Sequence, residues 1–157
     1  MFKEKFIQGN ISKGRTIKPV GIVLHHTGDY PESSIVNTFT NRNSKASAHV
    51  LILKNGDRII FAKDTERTWH AGVSEFKGYK YCNNFMLGAE FQGDTNKEPL
   101  TKEQIGSFMD WLIPRIKKHK LTYDYITDHR TVSPGRKTDL KPEEFNKVKS
   151  AIKYLFE

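Results

Sequence analysis

Cysteine is almost absent. Cys82 stands alone in 157 residues, so no internal disulfide can form and a disulfide-stapled scaffold is excluded. Long apolar runs are missing as well: no stretch approaches the roughly 20 apolar residues a helix needs to cross a bilayer, which excludes helical membrane insertion. The opening residues, MFKEKFIQGNISKGR, lack the continuous apolar segment of a secretory leader, so synthesis in the cytoplasm without a signal peptide is expected. Zinc-finger spacings, RNA-binding signatures and lysine clusters interleaved with aromatics do not occur either, and nucleic acid is not the expected partner. There is no internal repeat, low-complexity tract or linker.

Negative charge is the scarcer sign. Lys plus Arg number 26 against 18 Asp plus Glu, a net charge of +8, which favours approach to polyanions; nucleic acid, an anionic lipid surface and a bacterial envelope polymer all fit, and charge alone does not separate them. The length suits one domain, residues 1–157, that buries about two-thirds of its unfolded surface.

Residues 1–18 are polar, basic and without period, and read as an irregular lead-in. VGIVLHH, from Val20 to His26, suits a strand covered on both faces, and alternation sends His25 and His26 to opposite sides. A helix is expected near Ser33–Asn41, with Ile35, Val36 and Phe39 on one face. The runs Ala48–Leu53 and Arg58–Ala62 flank Asn55-Gly56, a hairpin signal. Residues 63–85 form an aromatic, glycine-punctuated segment suited to ligand contacts. Met86–Phe91 reads as a buried strand with one charge, Glu90, that needs a reason to be there.

Thr101 and Gln104 make a capping box for a helix whose stripe is Ile105, Phe108, Met109, Leu112 and Ile116. Pro114 should kink or interrupt it. Tyr125–Asp128 is a short strand delivering His129, and a last helix starts at Pro142 with Phe145, Val148, Ile152 and Leu155 inward. Strands alternating with helices predict an α/β domain, a central mixed β-sheet flanked by helices on both faces.

The densest chemistry lies in TDHRTVSPGRKTD, residues 127–139. A turn at Ser133-Pro134-Gly135 separates His129 from Lys137 and Asp139, which an extended backbone would place on one side. By itself such a segment is equally a polar surface loop with an incidental ion pair. With His25 added, two imidazoles and a carboxylate form a set that zinc accepts, leaving a fourth position for water. Glu90 could then act as general base and Lys137 as oxyanion stabiliser. No compact metal motif such as HExxH supports this, because the ligands are far apart in sequence. Among the other candidates, Cys82 lacks an activating neighbour and reads as structural. His49, in an apolar run, reads as a buried hydrogen-bonded histidine. His119, in a lysine-rich helix end, reads as solvated or dipole-complementing.

The segments IVLHHTG, SAHVLILKNG, WHAGVS, CNNFMLGAEFQG and DHRTVSPGRKTD together resemble the type-2 N-acetylmuramoyl-L-alanine amidases. That class includes amidase-type phage endolysins, anhydro-muropeptide recycling amidases and peptidoglycan recognition proteins. The resemblance implies Zn2+ held by His25, His129 and Asp139, acid/base and oxyanion roles for Glu90 and Lys137, and a substrate cleft lined by His26, Trp69 and His70. It implies hydrolysis of the bond between N-acetylmuramic acid and L-alanine in a peptidoglycan or muropeptide substrate, by a monomer. Some members carry a catalytic tyrosine where this chain has Ala48, a difference that suits the glutamate-bearing version. Recycling amidases commonly carry arginine where Tyr81 stands. That difference, with the basic charge, makes a single-domain endolysin acting on the cell wall after release the first expectation. A cytoplasmic recycling amidase and a non-catalytic peptidoglycan-binding module are the alternatives.

Overall fold

The computed structural model describes residues 1–157, and its strands are β1 (Glu4–Phe6), β2 (Ile11–Thr16), β3 (Gly21–His26), β4 (Val50–Ile52), β5 (Arg58–Ile60), β6 (Glu66–Thr68), β7 (Glu75–Phe76), β8 (Tyr79–Lys80), β9 (Met86–Phe91) and β10 (Ile126–Asp128). The helices are α1 (Glu32–Thr40), α2 (Lys102–His119), α3 (His129–Val132) and α4 (Pro142–Ile152). Six strands form the central sheet in the order β1-β5-β4-β9-β3-β10, while β2 with β6 and β7 with β8 make two small ribbons. The β4–β5 hairpin is antiparallel and β4, β9, β3 and β10 run parallel, so the sheet is mixed.

Period-two alternation sorts the strand residues between two cores. Ile22, Leu24, Val50, Ile52, Leu87, Ala89 and Phe91 face α2 and α4, meeting Phe108, Trp111, Leu112, Val148 and Ile152. The opposite face carries Leu51, Ile59 and Phe61 under Ile35 and Phe39 of α1, and Val23 and Met86 under Ala71, Cys82 and Val132. Helices therefore cover both faces, as the pattern of the sequence predicts.

Three local expectations are corrected. Residues 1–18 are not an irregular lead-in: β1 adds a parallel edge strand to β5, and β2 pairs antiparallel with β6. Their side chains are mostly exposed, so pairing leaves almost no apolar period to detect. Pro114 does not interrupt α2, which runs unbroken to His119. The carbonyl that proline leaves without its helical donor is that of Asp110, and both residues are exposed, so water can satisfy it. His119 is not solvated: its ring sits 2.7 Å from Oδ2 of Asp64, while Arg115 donates to Oδ1 at 3.1 and 3.2 Å. The capping box is present as predicted, with the Thr101 hydroxyl accepting from Gln104 N at 3.0 Å and Gln104 Oε1 accepting from Thr101 N at 3.0 Å.

Burial alone would push Asp64's carboxyl up, but the hydrogen bond from His119 and the nearby Arg115 charge bring it net below its ordinary 3.8. A depressed carboxyl contributes stability above its unfolded value and loses it as pH falls through the folded one. Asp64→Asn is therefore expected to cost about 2–3 kcal/mol at neutral pH, in urea denaturation. The gap between the two proteins should close as the pH is lowered below 3.8.

Candidate active site

The parallel strands end together, and at that carboxyl edge an α/β sheet commonly carries its site. His25 and Glu90 are direct register partners across β3 and β9, so their side chains leave the same face one strand apart. His129 follows β10, the other neighbour of β3, as the first residue of α3. The loop after α3 returns Asp139 to the same point. Ligand atoms of His25, His129 and Asp139 all lie within 4.8 Å of one another, and all three residues are buried.

Hydrogen bonds fix which nitrogens face inward. The His70 Nε2–H can only donate to the carbonyl of Met86, 2.9 Å away, so His70 Nδ1 is an acceptor and takes the Nε2–H of His25 at 3.1 Å. His129 donates its Nε2–H to the Ala71 carbonyl at 3.1 Å. When both rings are neutral their Nδ1 atoms carry no hydrogen; these atoms stand 2.9 Å apart, with Asp139 Oδ2 at 3.8 Å from one and 3.5 Å from the other. Three electron-rich atoms converge with no hydrogen of their own between them, which is the donor set of a divalent cation. Burial, then the neighbouring His129 and His70, hold His25 well below the usual imidazole range, and burial with His49 takes His70 down to about 3. Neutral rings are what ligation requires.

Glu90 Oε2 stands 3.7 Å from His25 Nδ1, on the cleft side. Burial first, and Asp139 second, push its carboxyl well above the usual range, while Lys137 acts the other way. For Asp139, burial is outweighed by His129, and the carboxyl lies below its ordinary value. Lys137 is exposed, forms no ion pair and lines the same cleft of about 730 Å³. His26 and Trp69 also line it. His70 touches the cleft but is 6% exposed and acts mainly behind His25.

Cys82 and His49 fall outside this group. Cys82 is fully buried and its thiol is raised by burial; His49 donates to the Glu66 carbonyl at 2.7 Å and accepts from Gly88 N at 3.1 Å. Tyr81 lies on a separate, smaller cavity of about 300 Å³ that shares Arg136 with the main cleft.

Sequence reasoning missed several contributors. Asn83 is buried and its Oδ1 accepts from His70 N at 3.1 Å and Ala71 N at 2.8 Å, holding the segment that supports both histidines. Arg136 donates to the Ala71 and Val73 carbonyls at 2.6 and 2.9 Å. Thr95 and Asp128 tie the loops around Asp139. A run of loop residues gives no periodicity by which such contacts could be found.

A family model described as N-acetylmuramoyl-L-alanine amidase matches residues 15–142. The chain belongs to the N-acetylmuramoyl-L-alanine amidase family. Among relatives within that family, the 1,6-anhydro-N-acetylmuramyl-L-alanine amidase AmpD of Haemophilus influenzae is 40% identical over 96 residues, 60% of this chain and 52% of that protein. The chain thus spans about half the length of these curated relatives. In fold, the chain resembles the selenomethionine derivative of AmpD, with a TM-score of 0.79 at 22% identity over 94% of this chain and 95% of that one. It also resembles the endolysin amidase LysCS of Clostridium intestinale URNW, with a TM-score of 0.73 at 19% identity over 98% and 97%.

Gly88 is where this site should be most sensitive to a single methyl. A Cβ there would sit 2.4 Å from His70 Cγ, so Gly88→Ala must displace the ring that orients His25. The expected cost is about 1–3 kcal/mol in chemical denaturation. Imidazole nitrogen NMR of the metal-free variant should show His25 no longer held as a single Nε2–H tautomer.

Proposed function

We propose that this chain is a zinc-dependent amidase that hydrolyses the amide between N-acetylmuramic acid and L-alanine in soluble anhydro-muropeptides. The carrying observation is the pair of imidazole Nδ1 atoms 2.9 Å apart beside Asp139, with Glu90 alongside. Support for the soluble substrate comes from the sequence relatives, since several of them are 1,6-anhydro-N-acetylmuramyl-L-alanine amidases. That favours the recycling reading over wall lysis, the first expectation from charge and from Tyr81.

His25, His129 and Asp139 would hold the zinc, which when bound supplies a Lewis acid and a water of lowered pKa. Glu90 takes a proton from the water that attacks the lactyl carbonyl, and delivers it to the alanine nitrogen as the C–N bond breaks. A carboxyl lifted by burial keeps that proton until the leaving amine needs it, and Lys137 limits the lift. The free ammonium of Lys137 also faces the negative charge that gathers on the attacked oxygen. His26 and Trp69 hold the substrate against the cleft wall.

Wall lysis remains a second reading on one observation, the net charge of +8, which suits an anionic envelope. Mass spectrometry of digests separates the two. Release of the stem peptide from a soluble 1,6-anhydro-muropeptide far faster than from intact sacculi is expected, and the reverse order would establish the lytic reading. Chelation should abolish turnover and added zinc restore it; turnover that survives chelation would refute metal dependence. Glu90→Gln is expected to bind zinc yet lose about 100-fold or more in kcat, the usual worth of a positioned acid/base.

A further inference from the structure

His129 and Asp139 sit on the two arms of one loop that reverses through Ser133–Arg136, and one backbone bond, from Arg130 N–H to the Asp139 carbonyl, joins the arms. Two polar residues behind the cleft add the side-chain ties that hold each arm in place. Asp128 is 0% exposed, and its carboxylate oxygens divide their work. Oδ1 accepts from Thr131 N at 3.0 Å and from the Thr131 hydroxyl, which caps α3 and orients its first residue, His129. Oδ2 accepts from Leu140 N, the residue after Asp139, at 3.2 Å, with the Arg130 guanidinium at 3.5 Å. A carboxylate this deep is costly unless paired, and here its pairing spans both arms.

Thr95, 3% exposed, secures the far end of the second arm. Its hydroxyl accepts from Lys141 N at 2.9 Å and donates to His26 Nδ1 at 2.8 Å, while its own N–H reaches the same nitrogen at 3.1 Å. The His26 backbone in turn donates to Asp139 Oδ2 at 3.2 Å. Asp139 is thus followed by two clamped peptide N–H groups, that of Leu140 on Asp128 and that of Lys141 on Thr95.

We infer that Asp128, seconded by Thr95, is a positioning residue that sets the affinity of the His25–His129–Asp139 site for its metal by clamping both arms of the 129–139 loop. The inference rests on the metal reading above. Neither side chain lines the cleft, so the effect reaches the site through the ligands they hold. The carboxylate chemistry is specific to the task, because only an acceptor at both oxygens can serve N–H groups on both arms. Asparagine has the same shape but one acceptor and one donor. Whichever way its amide turns, one arm meets a donor and is released, while volume and packing stay.

The test is zinc titration in competition with a chromophoric chelator, on wild type, Asp128→Asn, Thr95→Val and Thr95→Ser, alongside thermal unfolding of each metal-free protein. Asp128→Asn and Thr95→Val should lose about 10–100-fold in zinc affinity, the usual effect of removing a partner of a metal ligand. Thr95→Ser keeps the hydroxyl and should bind as wild type does. Zinc affinity unchanged in Asp128→Asn and Thr95→Val overturns the inference, even if their unfolding temperatures fall, because the residues would then only stabilise the fold. If Asp128→Asn does not fold, the contrast between Thr95→Val and Thr95→Ser decides. A wild-type protein that takes up no zinc overturns the metal reading, and the inference with it.

Discussion

The structure depends on keeping lone pairs and charge together at one buried point. Two imidazole nitrogens and a carboxylate oxygen face each other there, and a second carboxylate, Glu90, is held in reach of the first ring. In the folded chain such a group is a cost, because like partial charges are crowded where water cannot screen them. The neighbouring elements are arranged so that the cost is borne locally. β3 and β9 are among the most apolar segments of the chain, and the register between them is fixed along six residue pairs from Gly21 with Met86 to His26 with Phe91. Slipping that register by one residue would send Glu90 into the α2 face of the core.

The second requirement is orientation. A histidine presents either of two nitrogens, and nothing in its own geometry chooses. Here the choice is made by carbonyl oxygens of Met86 and Ala71, passed to His25 through His70. Those carbonyls belong to a sheet strand and to the glycine-punctuated loop after β6, which Asn83 pins from beneath. The loop therefore has two tasks. It walls the cleft with Trp69, and it supplies the acceptors that leave the inner nitrogens bare. Lys137 stands apart from this network, exposed and unpaired, so its charge is available to the cleft.

At the opposite end of the sheet a different cluster, Asp64 with Arg115 and His119, ties the last turn of α2 to the loop following β5. It shows the same physics used for stability alone. A half-buried carboxylate there is fully answered by hydrogen bonds from Arg115 and His119, whereas the carboxylates at the cleft are answered incompletely, which is the condition for binding something further.

Sequence by itself determined the elements that rest on periodicity and capping. The strands that became β3, β4, β5 and β9, the capping box at Thr101 and the start of α4 at Pro142 were all legible, because burial on one face or both leaves a pattern in the chain. It also supplied His25, Glu90, His129, Lys137 and Asp139 as chemically apt residues, one of them a charge inside an apolar strand. Only the tertiary structure decided that they meet, which nitrogens face inward, and that His70 stands behind His25. It also decided that β1 and β2 are strands and that His119 pairs with Asp64. These outcomes come from hydrogen bonds between segments far apart in the chain, and such bonds depend on where backbone groups end up in space, which no local pattern of side chains encodes.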